Sequence, residues 1–153
     1  AQTAGAAFLV LVPAMVKLVK FLKAQKVVLV LNGRYAGKKG VIVKTFDEGT
    51  DSRKYGHCIV AGVAKAPLKV KKGMNAKKVE KRSRIKPFLK VLNFNHLMPT
   101  RYSVEIDFKP TGITQDVMTS EAKRKEARKA VKTLFQDRYT SGKNKWFFSK
   151  LRF

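Results

Sequence analysis

The sequence predicts a mainly β domain, a small barrel of short strands, followed by a C-terminal α-helix and a basic aromatic tail. Three observations predict it. Stretches rich in β-branched and aromatic residues recur five times between Val27 and Phe108, punctuated by glycine, proline and polar clusters. Beyond Pro110 the apolar spacing changes to that of a helix. Hydrophobic residues make up 44% of the 153-residue chain, ten of them Phe, so a packed core is expected and a wholly disordered basic chain is excluded.

Taken in order, residues 1–18 read as an N-terminal extension. Ala4 to Val12 is a short apolar run broken by Pro13, too short to cross a bilayer, which takes about 20 residues. It lacks the positive segment before it and the small-residue cleavage site after it that a secretory signal has. A poorly ordered or locally docked extension is expected. Lys17, Lys20, Lys23 and Lys26, mixed with Leu18, Val19, Phe21 and Leu22, suit a basic lead-in to a β domain, although the same pattern fits a membrane surface.

Residues 19–110 carry the strands. Val27 to Leu31 and Gly40 to Phe46 flank a loop built on Gly33 and Gly37 and form a hairpin. His57 to Val63 is a third strand, ending near Pro67. A basic insertion, 69–90, spaces its cations loosely as a helix from Asn75 to Arg84, kept short by Gly73, Ser83 and Pro87. Phe88 to Phe94 is a fourth strand. Tyr102 to Phe108 is the fifth, on the alternation of Tyr102, Val104, Ile106 and Phe108.

Residues 111–153 are organised differently. Thr119 or Ser120 caps a helix reaching about Tyr139, with Glu121 placed where the helix dipole favours an anion. Ala127, Val131, Leu134, Phe135 and Arg138 share one side; Lys123, Arg124, Lys125, Arg128, Lys129 and Lys132 take most of the rest. Gly142 stops the helix. From Lys143 to Phe153 cations alternate with Trp146, Phe147, Phe148 and Phe153, which suits burial of rings against a neighbour and neutralisation of phosphates between them.

Charge points to the partner. Thirty-four Lys and Arg stand against ten Asp and Glu, a formal net charge of +24. Ten of the cations lie between Lys69 and Lys90 against Glu80, and eleven between Lys123 and Arg152 against Glu126 and Asp137. So much like charge repels itself in a compact chain, and a polyanion relieves the repulsion. Nucleic acid fits best, because each cation on a phosphate releases condensed counterions. The single Cys58 forms no internal disulfide, which fits a reducing compartment.

Catalysis finds little support. His57 and Cys58 are strand neighbours whose side chains point to opposite faces. Two His and one Cys without an acidic cluster give no metal-ligand spacing, and His96 suits a turn or an RNA contact. Glu105 and Asp107 are the one pair of carboxylates placed to act together, and in so basic a chain they offset neighbouring cations. The Gly33, Gly37, Gly40 spacing permits positive backbone angles and close approach of a partner, or serves hairpin geometry alone. It lacks the Lys-Ser/Thr ending of a triphosphate loop.

With Val30 and Val41 flanking it, the Gly33 to Gly40 hairpin resembles the KOW motif of small SH3-like barrels in ribosomal proteins and transcription elongation factors. Three separated blocks narrow the resemblance: Val19 to Leu22 continuing through Val28 to Gly37, Phe94 to Val104, and Gly142 to Phe153. They are similar in sequence and order to the eukaryotic large-subunit ribosomal protein L27 family, from about Met15 or Val19 to Phe153; residues 1–14 depart from it. The resemblance implies an SH3-like (KOW) β-barrel with a C-terminal helical extension, seated on large-subunit ribosomal RNA in the cytosolic 60S subunit, after nucleolar assembly.

The expected function is therefore structural: binding and stabilising folded ribosomal RNA, mainly through its phosphates, beside neighbouring large-subunit proteins. The alternative is a KOW-type RNA-binding regulator of transcription or RNA processing outside the ribosome. No catalytic residue, cofactor, metal, small-molecule substrate, membrane association or homo-oligomer is expected. The candidate RNA-binding residues before the helix are Lys20, Lys23, Arg34, Lys38, Lys39, Arg53, Lys54, Lys69, Lys71, Lys72, Lys77, Lys78, Lys81, Arg82, Arg84, Lys86 and Arg101. In the helix and tail they are Lys123, Arg124, Lys125, Arg128, Lys129, Lys143, Lys145, Trp146, Lys150 and Arg152. Gly33, Gly37 and Gly40 supply the backbone geometry of the turn. Arg34, Arg82, Arg84, Arg101, Arg124 and Arg128 suit bidentate phosphate contacts, the lysines act as point charges, and Tyr35, Phe147 and Phe148 join Trp146 as stacking or pocket-filling rings.

Overall fold

The computed structural model describes residues 21–152, so the extension of residues 1–18 and Lys20 lie outside the described residues. Five strands, β1 (Lys26–Val30), β2 (Lys39–Phe46), β3 (His57–Lys65), β4 (Lys86–Asn93) and β5 (Leu97–Ser103), form one sheet in the order β4-β3-β2-β1-β5. Every pairing is antiparallel. The expected closed barrel is seen as this five-stranded sheet, with no ladder joining its edges β4 and β5.

The sheet is strongly curled. Edge strands four positions apart in a flat sheet would be about 19 Å from one another. Here only the 3-10 turn Phe94–His96 separates the end of β4 from the start of β5, and so short a link spans at most about 14 Å. Register shifts at Lys26/Val28, Ile42/Lys44 and Val63/Lys65 supply local bends. Both faces of the sheet are consequently covered by apolar side chains. Val28, Val30, Ile42, Cys58, Val60, Phe88, Leu92 and Leu97 cluster on one face. Val27, Val41, Ile59, Ala61 and Leu89 on the other meet the helical extension.

Four helices follow the expected periodicity in part: α1 (Ala76–Ser83), α2 (Gln115–Thr119), α3 (Glu121–Thr140) and α4 (Lys145–Phe148). The expected helices near 75–84 and 120–139 are α1 and α3. In α3, Ala127, Val131 and Phe135 recur every four residues and are buried against the sheet. Gly142, at φ 72°, ends α3, its N–H donating to Tyr139 O at 3.0 Å. Among the described residues no helix is long and apolar enough to cross a membrane.

One strand lies elsewhere than patterning suggests. The ladder of the fifth strand is Leu97–Ser103, not Tyr102–Phe108. Pro99 sits within it, opposite Val28, where an edge strand tolerates a residue with no N–H to donate. Val104, Ile106 and Phe108 are buried and alternate as expected, but they pack under α3 without a ladder, since alternation reports burial on one side only. In the tail, two of the rings take the pocket-filling alternative. Phe147 and Phe148 are core residues, packed edge-on against Phe135 at 5.5 and 6.0 Å, because the single turn of α4 carries them inward.

Candidate nucleic-acid interface

The glycines of the β1–β2 turn divide their work. Gly33 and Gly37 hold φ angles of 84° and 71°, the left-handed region that side chains disfavour. Gly40 does not; it lies in β2, where an added Cβ would collide with Val60 Cγ1. Gly62, opposite Gly40, makes room for the Phe88 ring. On Phe88 stacks Tyr35, with centroids 4.1 Å apart and planes 9° from parallel. That stack seats the turn beside β4 and brings Tyr35 and Arg34 toward the basic insertion.

Three grooves then collect cations that are remote in sequence. The first, about 620 Å³, is walled by Arg84 and Lys86 on one side and by Lys125, Arg128, Lys129 and Lys132 of α3 on the other, with Tyr35 between. The second, about 420 Å³, runs between Lys38 of the turn, Lys65 and Lys150. The third, about 740 Å³, holds Lys69, Lys143, Lys145, Lys150 and Arg152. Ala64 borders both the first and second, and Pro67, Leu68, Ser149 and Lys150 border both the second and third, so the three make one track. Among the described residues, no Asp or Glu lines it. Arg84 pairs with Glu80 at 2.6 Å and Lys125 with Glu121 at 3.8 Å, both exposed i,i+4 pairs of little energetic weight. The Arg84 guanidinium also holds the Glu80 carboxyl below its usual range. Among the described residues, Lys86, Arg128, Lys129 and Lys132 have no acidic partner.

The other candidates flank this track or leave it. Lys71, Lys72, Lys77, Lys78 and Lys81 are exposed on the arm formed by α1 and the loop before it. Half-buried Arg82 braces that arm: its guanidinium donates to Lys69 O at 3.1 Å, and its carbonyl accepts from Leu68 N at 2.8 Å. Arg53 and Arg124 border a separate depression with Lys90, and Lys54 is exposed nearby in sequence. Arg34 and Lys123 are exposed, and Lys23 precedes β1. Lys65 is a groove residue that patterning does not single out, because it closes a strand.

Lys39 differs from the expectation. It is 3% exposed, and its Nζ donates to Trp146 O, to Ser149 O at 3.0 Å and to Ser149 Oγ at 3.0 Å. The same ammonium lies 4.1 Å from the centroid of the Trp146 ring. Burial lowers its pKa from the usual lysine value. Lys39 is a staple between β2 and the C-terminal segment, at the edge of the second groove. Its position in a strand, pointing inward, is what patterning could not supply.

The residues weighed for catalysis are packed. His57 is buried, with Nδ1 2.8 Å from Tyr55 O and its ring stacked 5.0 Å from Phe46, while Cys58 belongs to the opposite face. Burial pushes the Cys58 thiol up to about 12, far from a reactive thiolate. Asp107 Oδ1 accepts from Lys109 N at 2.9 Å, a turn bond. Among the described residues no three His, Cys, Asp or Glu side chains group as metal ligands.

Comparison with known proteins accords with this geometry. Residues 27–153 match the ribosomal L27e protein family. The chain belongs to that family. It is 54% identical over 134 residues to a Candida albicans protein named large ribosomal subunit protein eL27, covering 88% of this chain and 98% of the relative. A Caenorhabditis elegans protein of the same name is 53% identical over 134 residues, with the same coverage. The family is one of ribosomal proteins and is not enzymatic.

Proposed function

We propose that this L27e-family chain is a structural constituent of the large ribosomal subunit that binds and stabilises folded ribosomal RNA through its phosphates, in the cytosolic ribosome and beside neighbouring ribosomal proteins. The single observation that carries the reading is the acid-free track of three adjoining grooves. Each cation set on a phosphate releases counterions, so the track favours a strand of RNA backbone laid along it. Recognition is chiefly of backbone and shape, because the deep major groove of paired RNA hides its base edges. Arg128 is placed for a bidentate contact, and Lys86, Lys129 and Lys150 act as point charges.

Binding of the full chain to large-subunit RNA fragments tests this. Affinity falls steeply between 50 and 200 mM salt, by about a thousandfold or more if six or more phosphates are engaged. The triple variant Lys86→Glu, Arg128→Glu, Lys129→Glu flattens the dependence by about one unit of slope per lost contact. A flat salt response of the unaltered chain contradicts the mechanism. On sucrose gradients the chain sediments with large subunits; recovery only in free or polymerase-bound fractions overturns the ribosomal role in favour of an RNA-binding regulator.

A further inference from the structure

Neither Trp146 nor Tyr102 lines the three grooves, and nothing in phosphate neutralisation uses the pair. Trp146 is 40% exposed and Tyr102 46% exposed, whereas the adjacent Phe147 and Phe148 are wholly in the core. The two rings are in contact, their centroids 4.7 Å apart and their planes tilted by 37°, and each still leaves part of its surface open. Their position is fixed from beneath. α4 is anchored by Phe147 and Phe148, and Trp146 is held through the Lys39 ammonium on its ring and the Lys39 bond to its carbonyl. The surroundings are cationic. The Arg101 guanidinium lies 5.3 Å from the Tyr102 ring, and Lys26 Nζ donates to Arg101 O at 3.2 Å.

We infer that Trp146, Tyr102 and Arg101 form a receptor for a single unpaired RNA base, stacked on the exposed rings while the nearby cations hold its flanking phosphates. The inference rests on the RNA-binding reading and narrows it, since duplex backbone alone offers nothing to these rings. Single-stranded RNA is read in this manner, by bases splayed from the helix onto aromatic or guanidinium planes. An apolar protein partner would suit the rings but not the cations. A pre-positioned ring also loses little freedom on binding.

Trp146 is the chain's only tryptophan, so its fluorescence reports this site alone. The full chain is titrated with three RNA hairpins: fully paired, carrying a one-purine bulge, and carrying an abasic bulge of the same backbone. The purine bulge binds about tenfold tighter than either other hairpin and quenches Trp146 further. Tyr102→Ala abolishes that preference without changing the salt slope, and Tyr102→Phe retains it. Equal binding of purine and abasic bulges, or a preference that survives Tyr102→Ala, overturns the inference while salt-dependent binding of all three leaves the phosphate reading intact. Loss of salt-dependent binding to every hairpin overturns both.

Discussion

Replacing Lys39 by Met removes one ammonium and keeps most of the aliphatic stem. In the native chain that ammonium serves two carbonyls and one hydroxyl of the C-terminal segment and sits 4.1 Å from the Trp146 ring. Bonds to a charged donor contribute about 1.5–3 kcal/mol, and a partly desolvated cation–π contact about 1–2 kcal/mol. The desolvation of the ammonium, which lowers its pKa, offsets part of this. Lys39→Met should therefore cost about 2–4 kcal/mol, or roughly 6–12 °C in Tm at this chain length. Thermal and urea melts followed by Trp146 fluorescence measure it, and the native emission itself changes as the cation leaves the ring. Ser149→Ala, which removes the hydroxyl that accepts from Lys39 Nζ and donates to Trp146 O at 2.7 Å, costs about 1–2 kcal/mol. The sign with pH is also set. Between the lowered native pKa of Lys39 and its ordinary 10.5, the unfolded chain holds a proton that the native chain has released. Stability of the native protein relative to Lys39→Met thus rises with pH across that window and is level below it. A variant as stable as the original, with unchanged emission, would refute the staple.

Three further outcomes follow from packing and charge. Gly62→Ala places a Cβ against the Phe88 ring and 2.6 Å from Lys39 O, so it lowers stability by about 1–3 kcal/mol in urea melts; an unchanged midpoint would show that the Tyr35–Phe88 stack has room to spare. Cys58, buried and pushed up to about 12, is alkylated by iodoacetamide at neutral pH only when the chain unfolds, and mass spectrometry showing rapid labelling of the native protein would contradict its burial. Phe135→Ala opens a cavity beneath Phe108, Phe147 and Phe148 and costs about 3–5 kcal/mol, read as a lowered Tm, whereas a loss under about 1 kcal/mol would mean that α3 does not close the core.

Local features were readable where one principle governs them. Helix α3 follows from apolar spacing and Gly142, and strands β1 to β4 from β-branched runs around turn residues. Ladder membership was not readable at Tyr102 to Phe108, because one-sided burial imitates a strand. Nor was the division of Trp146 from Phe147 and Phe148, since one helical turn decides which ring faces inward. The track itself is a tertiary object. Tyr35, Lys86 and Arg128 meet because Phe88 holds the turn and Gln136 Nε2 of α3 donates across to Ser83 O of α1 at 3.2 Å, contacts without a local signature. Net charge announced a polyanion, yet it did not separate Lys39, spent inside the fold, from cations that face outward.

Crosslinking of RNA to protein within purified large subunits, with the linked peptides mapped, reads out which face of the chain meets RNA. Links are expected on residues 84–86, 125–132 and 143–152, which wall the track. Links confined instead to residues 47–51 and 105–116, where Asp47, Glu48, Asp51, Glu105, Asp107 and Asp116 lie, would contradict RNA binding along the track.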